Sequence, residues 1–201
     1  MVGKTQICNM ALAHCGINSR IQNVDSDTSN NAVQCRLFYD VCREALLEMR
    51  PWAFAKRRFT LTNLGTPPDE WAYRYKYPAV AKRVNKIINP YARTPGRGQK
   101  IPFEIEDNVD GLGKVILTDQ QDAIISYNKD VTNPELFSGS FVFGLSMMIA
   151  VYISMPLRVN PKITAYQNEQ FGFWLQEAAT HDMREQQEDE EPSSDLQTVR
   201  Y

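Results

Sequence analysis

The sequence predicts an α+β fold, mainly α: a bundle of about four helices, a small antiparallel β-sheet region inserted between its halves, and an extended C-terminal tail. Three observations predict it. Apolar residues recur every three or four positions over 5–49 and again from 136 to 178, the spacing that lines one side of a helix. Between Arg58 and Tyr127 the pattern changes to short alternating runs broken by Gly, Pro and Asp, which is strand-and-turn chemistry. After Pro192 the chain is polar with a short apolar end, too poor in apolar surface to offset the entropy of ordering. The expected division is a first bundle half over 1–57, a β-rich insertion over 58–132, a second bundle half over 133–183 and a tail over 184–201. With 201 residues, of which 43% are hydrophobic, the chain can bury one sizeable core and a small second lobe.

The first helix is expected from about Thr5 to Cys15, with Ile7, Met10 and Ala11 on one side and Cys8, Leu12 and Cys15 beside them. Gly16 followed by Ile17 reads as a left-handed helix stop. A polar loop then ends in Asp27-Thr28-Ser29-Asn30, a cluster of good N-caps. The second helix runs to about Met49 on a stripe of Ala32, Cys35, Tyr39, Cys42, Leu46 and Met49, widened by Leu37, Phe38, Val41 and Ala45. Pro51 ends it.

Strands are expected at Phe59–Thr62, Trp71–Tyr77, Arg83–Ile88, Phe103–Glu106, Lys114–Thr118 and Ala123–Tyr127. The second of these places Trp71, Tyr73, Tyr75 and Tyr77 on one face and small or basic side chains on the other. From Leu136 to Met155 there is no charged residue. About twenty apolar residues can cross a bilayer, so a single-span membrane protein is an alternative. Ser138, Gly139, Ser140, Gly144, Ser146 and Ser154 dilute the run and no basic cluster flanks it. A helix that is apolar all round is also what the centre of a bundle requires, and that is the expectation. The last helix opens with Asn160-Pro161, an N-cap followed by proline at the first helical position. Its expected stripe is Ile163, Tyr166, Gln170, Phe171, Trp174 and Ala178.

The net charge is −2, so no global field points to nucleic acid or membrane, but the charges are segregated. Between Arg50 and Lys100 there are twelve Lys or Arg against Asp69 and Glu70, whereas Asp182–Asp195 carries seven acidic residues and one Arg. Lys56, Arg57 and Arg58, with the loop cations Arg93, Arg97 and Lys100, could grip a nucleic-acid backbone, with the Trp71–Tyr77 rings stacking on bases. The same cations could instead form a solvated face over a buried aromatic sheet face, or meet an acidic neighbouring subunit. A basic nucleic-acid-binding module therefore stands as a second alternative.

Catalytic and metal-binding motifs are not evident. Gly3-Lys4-Thr5 imitates the end of a phosphate-binding loop but lacks the preceding strand and the earlier glycine. Asp107-Asn108-Val109-Asp110-Gly111 imitates the start of a calcium loop without its later ligands and is expected to be a hairpin turn. His14 and His181 lie in no nucleophile or metal pattern. Cysteines fall at Cys8, Cys15, Cys35 and Cys42, in two pairs each seven residues apart. Zinc ligands need sulfurs about 4 Å apart, and seven helical residues span about 10 Å, so neither pair alone can hold zinc. A cross-helix site or disulfide is left open beside the ordinary role of small buried core residues. Paired carboxylates leave no local signature. No enzyme activity and no cofactor are expected. The amino terminus shows neither a secretory signal nor a correctly placed myristoylation glycine, which suggests a reducing cytosol.

The opening Gln6–Gly16, the second helix beginning near Asp27-Thr28-Ser29-Asn30, the run from Leu37-Phe38-Tyr39-Asp40 through Arg43-Glu44-Ala45-Leu46-Leu47 to Pro51-Trp52-Ala53-Phe54-Ala55, and Trp71–Pro78 followed by Arg83-Val84-Asn85-Lys86-Ile87 together resemble the ring-forming head-to-tail adaptor of short-tailed bacteriophages, the tail tubular protein A family. The resemblance runs over nearly the whole chain, in pattern and order. It implies a structural subunit of a twelve-copy homo-oligomeric ring between the portal protein and the tail nozzle protein. Double-stranded DNA would pass through the ring, which would be assembled in the host bacterial cytoplasm and carried in the virion. It further implies that the C-terminal region grips the portal, which points to Leu196, Val199 and Tyr201. The β insertion, with Arg93, Arg97 and Lys100, would face the nozzle or adjacent subunits.

Overall fold

A computed structural model describes residues 2–90, 100–108 and 113–185, with side chains to Glu177. Four helices and two small antiparallel sheets make a mixed α+β fold. The helices are α1 (Lys4–His14), α2 (Asn30–Met49), α3 (Gly139–Ser154) and α4 (Pro161–Glu185). The strands are β1 (Lys56–Thr60), β2 (Tyr73–Lys76), β3 (Ala81–Ile87), β4 (Glu104–Asp107), β5 (Lys114–Thr118) and β6 (Ile124–Lys129).

Local chemistry places the helix ends. Ser29 Oγ accepts from the Ala32 amide at the start of α2, and Ser138 Oγ accepts from the Phe141 amide at the start of α3, each satisfying a donor that the first turn leaves over. At the end of α1, Gly16 adopts φ +72° and the Ile17 amide donates to the Leu12 carbonyl at 2.9 Å. That closure needs a left-handed residue, which glycine adopts without a Cβ clash.

α3 packs against α1, α2 and α4. Phe141, Leu145, Ile149, Ala150 and Ile153 are wholly buried in the cluster that α1 and α2 complete through Ile7, Leu12 and Leu46, with Trp52 from the chain just after α2. The helix has 16 residues, about 24 Å at 1.5 Å per residue, because Pro134–Leu136 forms a separate 3-10 turn before the Ser138 cap. No described helix is long and apolar enough to cross a membrane.

Trp174 lies across α3 at Gly144, where an added Cβ would come within 2.0 Å of its ring. The same indole stacks on Trp52 at 6.1 Å and on Phe171 at 5.7 Å between ring centroids. The glycine that weakens the membrane reading of this run is therefore the seat of the last helix.

The β region departs from the single sheet expected, with the strands dividing into β1-β6-β3 and β2-β5-β4. One apolar cluster joins the two, with Tyr75 and Ile116 from the second sheet against Val84, Ile125 and Tyr127 from the first. β4 and β5 pair antiparallel up to Asp107 and Lys114, and the Asn108 amide donates to the Gly113 carbonyl at 2.7 Å; the rest of the expected Asp107–Gly111 turn, 109–111, lies outside the described residues.

Two expected helix faces are also corrected. On α4, Ile163 and Tyr166 are exposed, and the inward row is Gln167, Phe171 and Trp174. Gln167 wins its place because its side-chain amide donates to the His14 carbonyl, one of the orphan acceptors at the end of α1. On α2, Leu37 and Val41 do not widen the buried stripe but face outward.

Side chains from three directions hold the end of α2. Trp52 Nε1 donates to Leu46 O at 2.7 Å, Asn128 Nδ2 to Leu47 O at 2.7 Å, and Arg83 Nη1 to Glu48 O at 3.0 Å and to Met49 O. The four carbonyls that the helix cannot satisfy internally are thus taken, three of them by side chains of the β1-β6-β3 sheet. Buried Arg43 ties the same helix to the chain after β6 by donating to Asp130 and, at 3.1 Å, to Val131 O.

Candidate interaction surfaces

Lys56, Arg57 and Arg58 open β1, an outer strand of its sheet. Side chains alternate along a strand, so these three cations do not form one patch: Lys56 and Arg58 share a face and Arg57 takes the other. Lys56 is half-buried, while Arg57 and Arg58 are exposed. The Arg57 guanidinium turns back onto the carbonyls of Phe54 and Lys56, at 3.3 and 2.8 Å. Lys100 is exposed just before the bridge between Ile101 and Ile87. Arg93 and Arg97, like Leu196, Val199 and Tyr201, lie outside the described residues.

Of the rings assigned to base stacking, Tyr73 and Tyr75 are on β2 of the other sheet, while Trp71 and Tyr77 flank that strand, which is shorter than the expected Trp71–Tyr77. Tyr75 is buried, donates its hydroxyl to Gln120 O at 2.9 Å and stacks on half-buried Tyr73 at 6.1 Å. Trp71 and Tyr77 are also half-buried. Tyr73, Tyr75 and Tyr77 join the apolar cluster between the sheets, and the structure does not bring β1 and these rings onto one sheet.

His14 faces a cleft of about 340 Å³ between α3 and α4, bordered by Phe143, Tyr166 and Phe173. Its Nε2 lies 3.2 Å from Ser146 Oγ, an arrangement that imitates a nucleophile and base. Ser146 already donates its proton to Phe143 O at 2.7 Å, so the imidazole must be the donor and the hydroxyl the acceptor. That polarity is the reverse of what activates a serine. Burial lowers the His14 pKa below its ordinary 6.5, because the charged ring would lose its hydration. The side chain of His181 lies outside the described residues.

Cys8, Cys15, Cys35 and Cys42 are free and buried. Hydrogen bonding to Cys35, with burial, pushes the Cys8 thiol up. Burial raises Cys15 to about 11 and Cys42 to about 12, leaving those two protonated at neutral pH and poor nucleophiles. No group of three or more His, Cys, Asp or Glu among the described residues is placed to hold a metal ion.

Sequence reasoning missed the outward apolar rows. On α2, Val33, Leu37 and Val41 follow one another at four-residue spacing, with Leu37 62% and Val41 64% exposed. On α4, Ile163, Tyr166 and Phe173 fall at spacings of three and seven, with Tyr166 61% and Phe173 60% exposed. The signal was present in the sequence, since both helices carry more apolar positions than one face can hold, but periodicity alone does not say which positions meet α3. No protein-family model matches the chain, and no curated protein matches it.

Proposed function

We propose that this chain is the structural subunit of a head-to-tail adaptor of a short-tailed phage, a helical bundle with a β-rich insertion that assembles as a ring between portal and tail nozzle. The observation that carries the proposal is a completed core with apolar rows left over. The inner side of the uncharged run is wrapped by its neighbours, with Phe141, Leu145, Ile149 and Ile153 wholly buried, yet Leu37 and Val41 on α2 and Tyr166 and Phe173 on α4 face outward, as do Phe143 and Tyr152 on α3. Rows of that kind are what an assembling subunit presents to other chains. The order of sequence blocks shared with the tail tubular protein A family supports the same identification. In a ring every contact repeats around a closed symmetry, so individually modest interfaces become durable.

The portal-gripping role belongs to the last residues, Leu196, Val199 and Tyr201, docking as an added strand. Arg93, Arg97 and Lys100 are assigned to the nozzle or to adjacent subunits. Mass measurement of the purified chain, alone and with a portal ring from a short-tailed phage, tests the proposal. A ring of about twelve copies on the portal is expected, and a chain that stays monomeric there refutes it. Truncation after Pro192 should abolish portal attachment while leaving the circular dichroism spectrum unchanged, and normal attachment by the truncated chain removes the anchoring role.

Nucleic-acid binding is the second reading, favoured by exposed Arg57 and Arg58. It requires duplex binding that weakens steeply with salt and is lost when Lys56, Arg57 and Arg58 are neutralised.

A further inference from the structure

We infer that copies of this chain join head to tail through their sheets, β1 of one copy adding as an antiparallel strand to the outer edge of β4 of the next. The inference deepens the ring reading, on which it rests for closure, by naming the edges that meet.

Each sheet has two outer strands, and their edges differ. β2 is flanked by 62–64, where Lys76 N donates to Thr62 O at 2.9 Å and Leu64 N to Arg74 O at 2.8 Å. β3 is irregular in register and bridges Ile101. β1 and β4 are the regular edges with no strand or bridge on their outer side among the described residues. Arg57–Thr60 and all of β4 are exposed on both faces. Regular, exposed edges of this kind are templates for another strand.

Their chemistry selects the occupant. β1 reads Lys-Arg-Arg-Phe-Thr and β4 reads Glu-Ile-Glu-Asp. Two copies of β1 would set cation against cation, and two copies of β4 would set carboxylate against carboxylate, which disfavours a two-fold contact through either edge. β1 on β4 is attractive, and because the contact uses two different surfaces it is heterologous, the kind that generates rings. Phe59 is 41% and Ile105 39% exposed, so the new ladder would also cover an apolar side chain from each edge.

Hydrogen-bond phase restricts the register. The Leu61 amide donates to Ala123 O at 2.9 Å, so the odd residues of β1 point their backbone groups at β6 while Arg58 and Thr60 point theirs outward. The Asn108 amide donates to Gly113 O at 2.7 Å, so the even residues of β4 face β5 while Ile105 and Asp107 face outward. An antiparallel ladder pairs outward residues with outward residues, which sets Arg58 opposite Ile105 or Asp107. Opposite Ile105, it brings Arg57 against Glu106, Lys56 against Asp107 and Phe59 against Glu104. Opposite Asp107, it leaves Arg57 against the neutral Asn108. The first register is the one assigned.

Cysteine bridging reads the register directly. Phe59→Cys combined with Glu104→Cys, oxidised with oxidised glutathione, should give a ladder of covalent species extending past the dimer, because each copy offers one thiol to each neighbour. The single variants should stop at dimers. Phe59→Cys with Ile105→Cys should give no ladder, since those side chains leave the ladder on opposite faces; the four native thiols are buried and do not compete. Charge exchange gives an independent measurement. Arg57→Glu/Arg58→Glu and Glu106→Lys/Asp107→Lys should each weaken self-association about tenfold, and an equal mixture of the two should restore it. Rings that form on the portal without the 59–104 bridge overturn the edge pairing and leave the ring reading intact. A chain monomeric with and without portal overturns both. If the β1 variant assembles normally but loses salt-dependent DNA binding, β1 serves nucleic acid and the inference is wrong.

Discussion

The side-chain nitrogen of Asn128 lies 2.7 Å from the carbonyl oxygen of Leu47 and donates to it, joining the middle strand of one sheet to the last turn of α2. The same amide donates to Arg50 O, and its oxygen accepts from Asn85 Nδ2 at 3.0 Å. Asn128 is fully buried, so removing it strands acceptors where water cannot replace it. Asn128→Ala should cost about 2 kcal/mol in denaturant unfolding. A loss below about 0.5 kcal/mol, the scatter of ordinary surface changes, would show that the amide does not strap sheet to helix.

Gly144→Ala should cost about 1–3 kcal/mol, because the new methyl occupies the space of the Trp174 ring and the packed indole cannot swing aside freely. Trp174→Leu in the same chain should recover part of that loss, making the two changes strongly non-additive. Additive losses in a double-mutant cycle of thermal unfolding would mean that α4 does not rest on this glycine.

The difference between what the sequence discloses and what it hides follows from the range of the interactions. Ser29 and Gly16 act within one turn of chain, so those helix ends can be read from the residues themselves; Ser138 caps α3 in the same local way, but the uncharged run continues on both sides of it and hides the helix start. Strand identity is also local, and all six strands fall on runs with alternating or turn-bounded character. Their partnering is not local: Arg57 pairs with Tyr127 across most of the insertion, and no feature near either residue says that two sheets form. The first strand runs over Lys56–Thr60 where Phe59–Thr62 is expected, because its exposed residues carry no alternation in burial to mark its start.

The face of α4 was hidden for a different reason. Apolarity favours Ile163 and Tyr166 as inward residues, but a polar side chain, Gln167, takes the place because it satisfies a carbonyl of another helix. The candidate edges were half legible. Their opposite charges stand in the sequence, whereas the hydrogen-bond phase that restricts their register depends on which neighbour each strand has.

Arg43 is 2% exposed and donates to Asp130 and Val131 O, and to Asp40 at 3.3 Å. Burial acts to lower its pKa, but the hydrogen bonds and charges of Asp130 and Asp40 outweigh it and raise it, so the guanidinium stays charged. Arg43→Met should cost about 2 kcal/mol, less than the 3–5 of a fully buried pair, because Lys82 sits 3.7 Å from Asp130 and partly replaces the lost charge. Arg43→Lys should recover little, since an ammonium cannot span the same acceptors. Full recovery by lysine in chemical denaturation would show that charge alone, without the planar fork, is what this position supplies.

Acid should loosen the packing of α1 against α3 and α4 through His14. Its folded pKa is depressed by burial below 6.5, so between the two values the unfolded chain binds the extra proton and the folded chain does not. Stability from this group is therefore fully present above about pH 6.5 and falls as the pH drops toward the folded value, below which the loss stops growing. Glu177 borders the same cleft and would favour the imidazolium, but the depressed value means that lost hydration dominates. His14→Gln keeps a donor for Ser146 without the titration, so its melting temperature should fall less than that of the wild type between pH 7.5 and pH 5. Parallel melting curves for the two proteins over that range would mean that His14 titrates as freely in the folded chain as in the unfolded one.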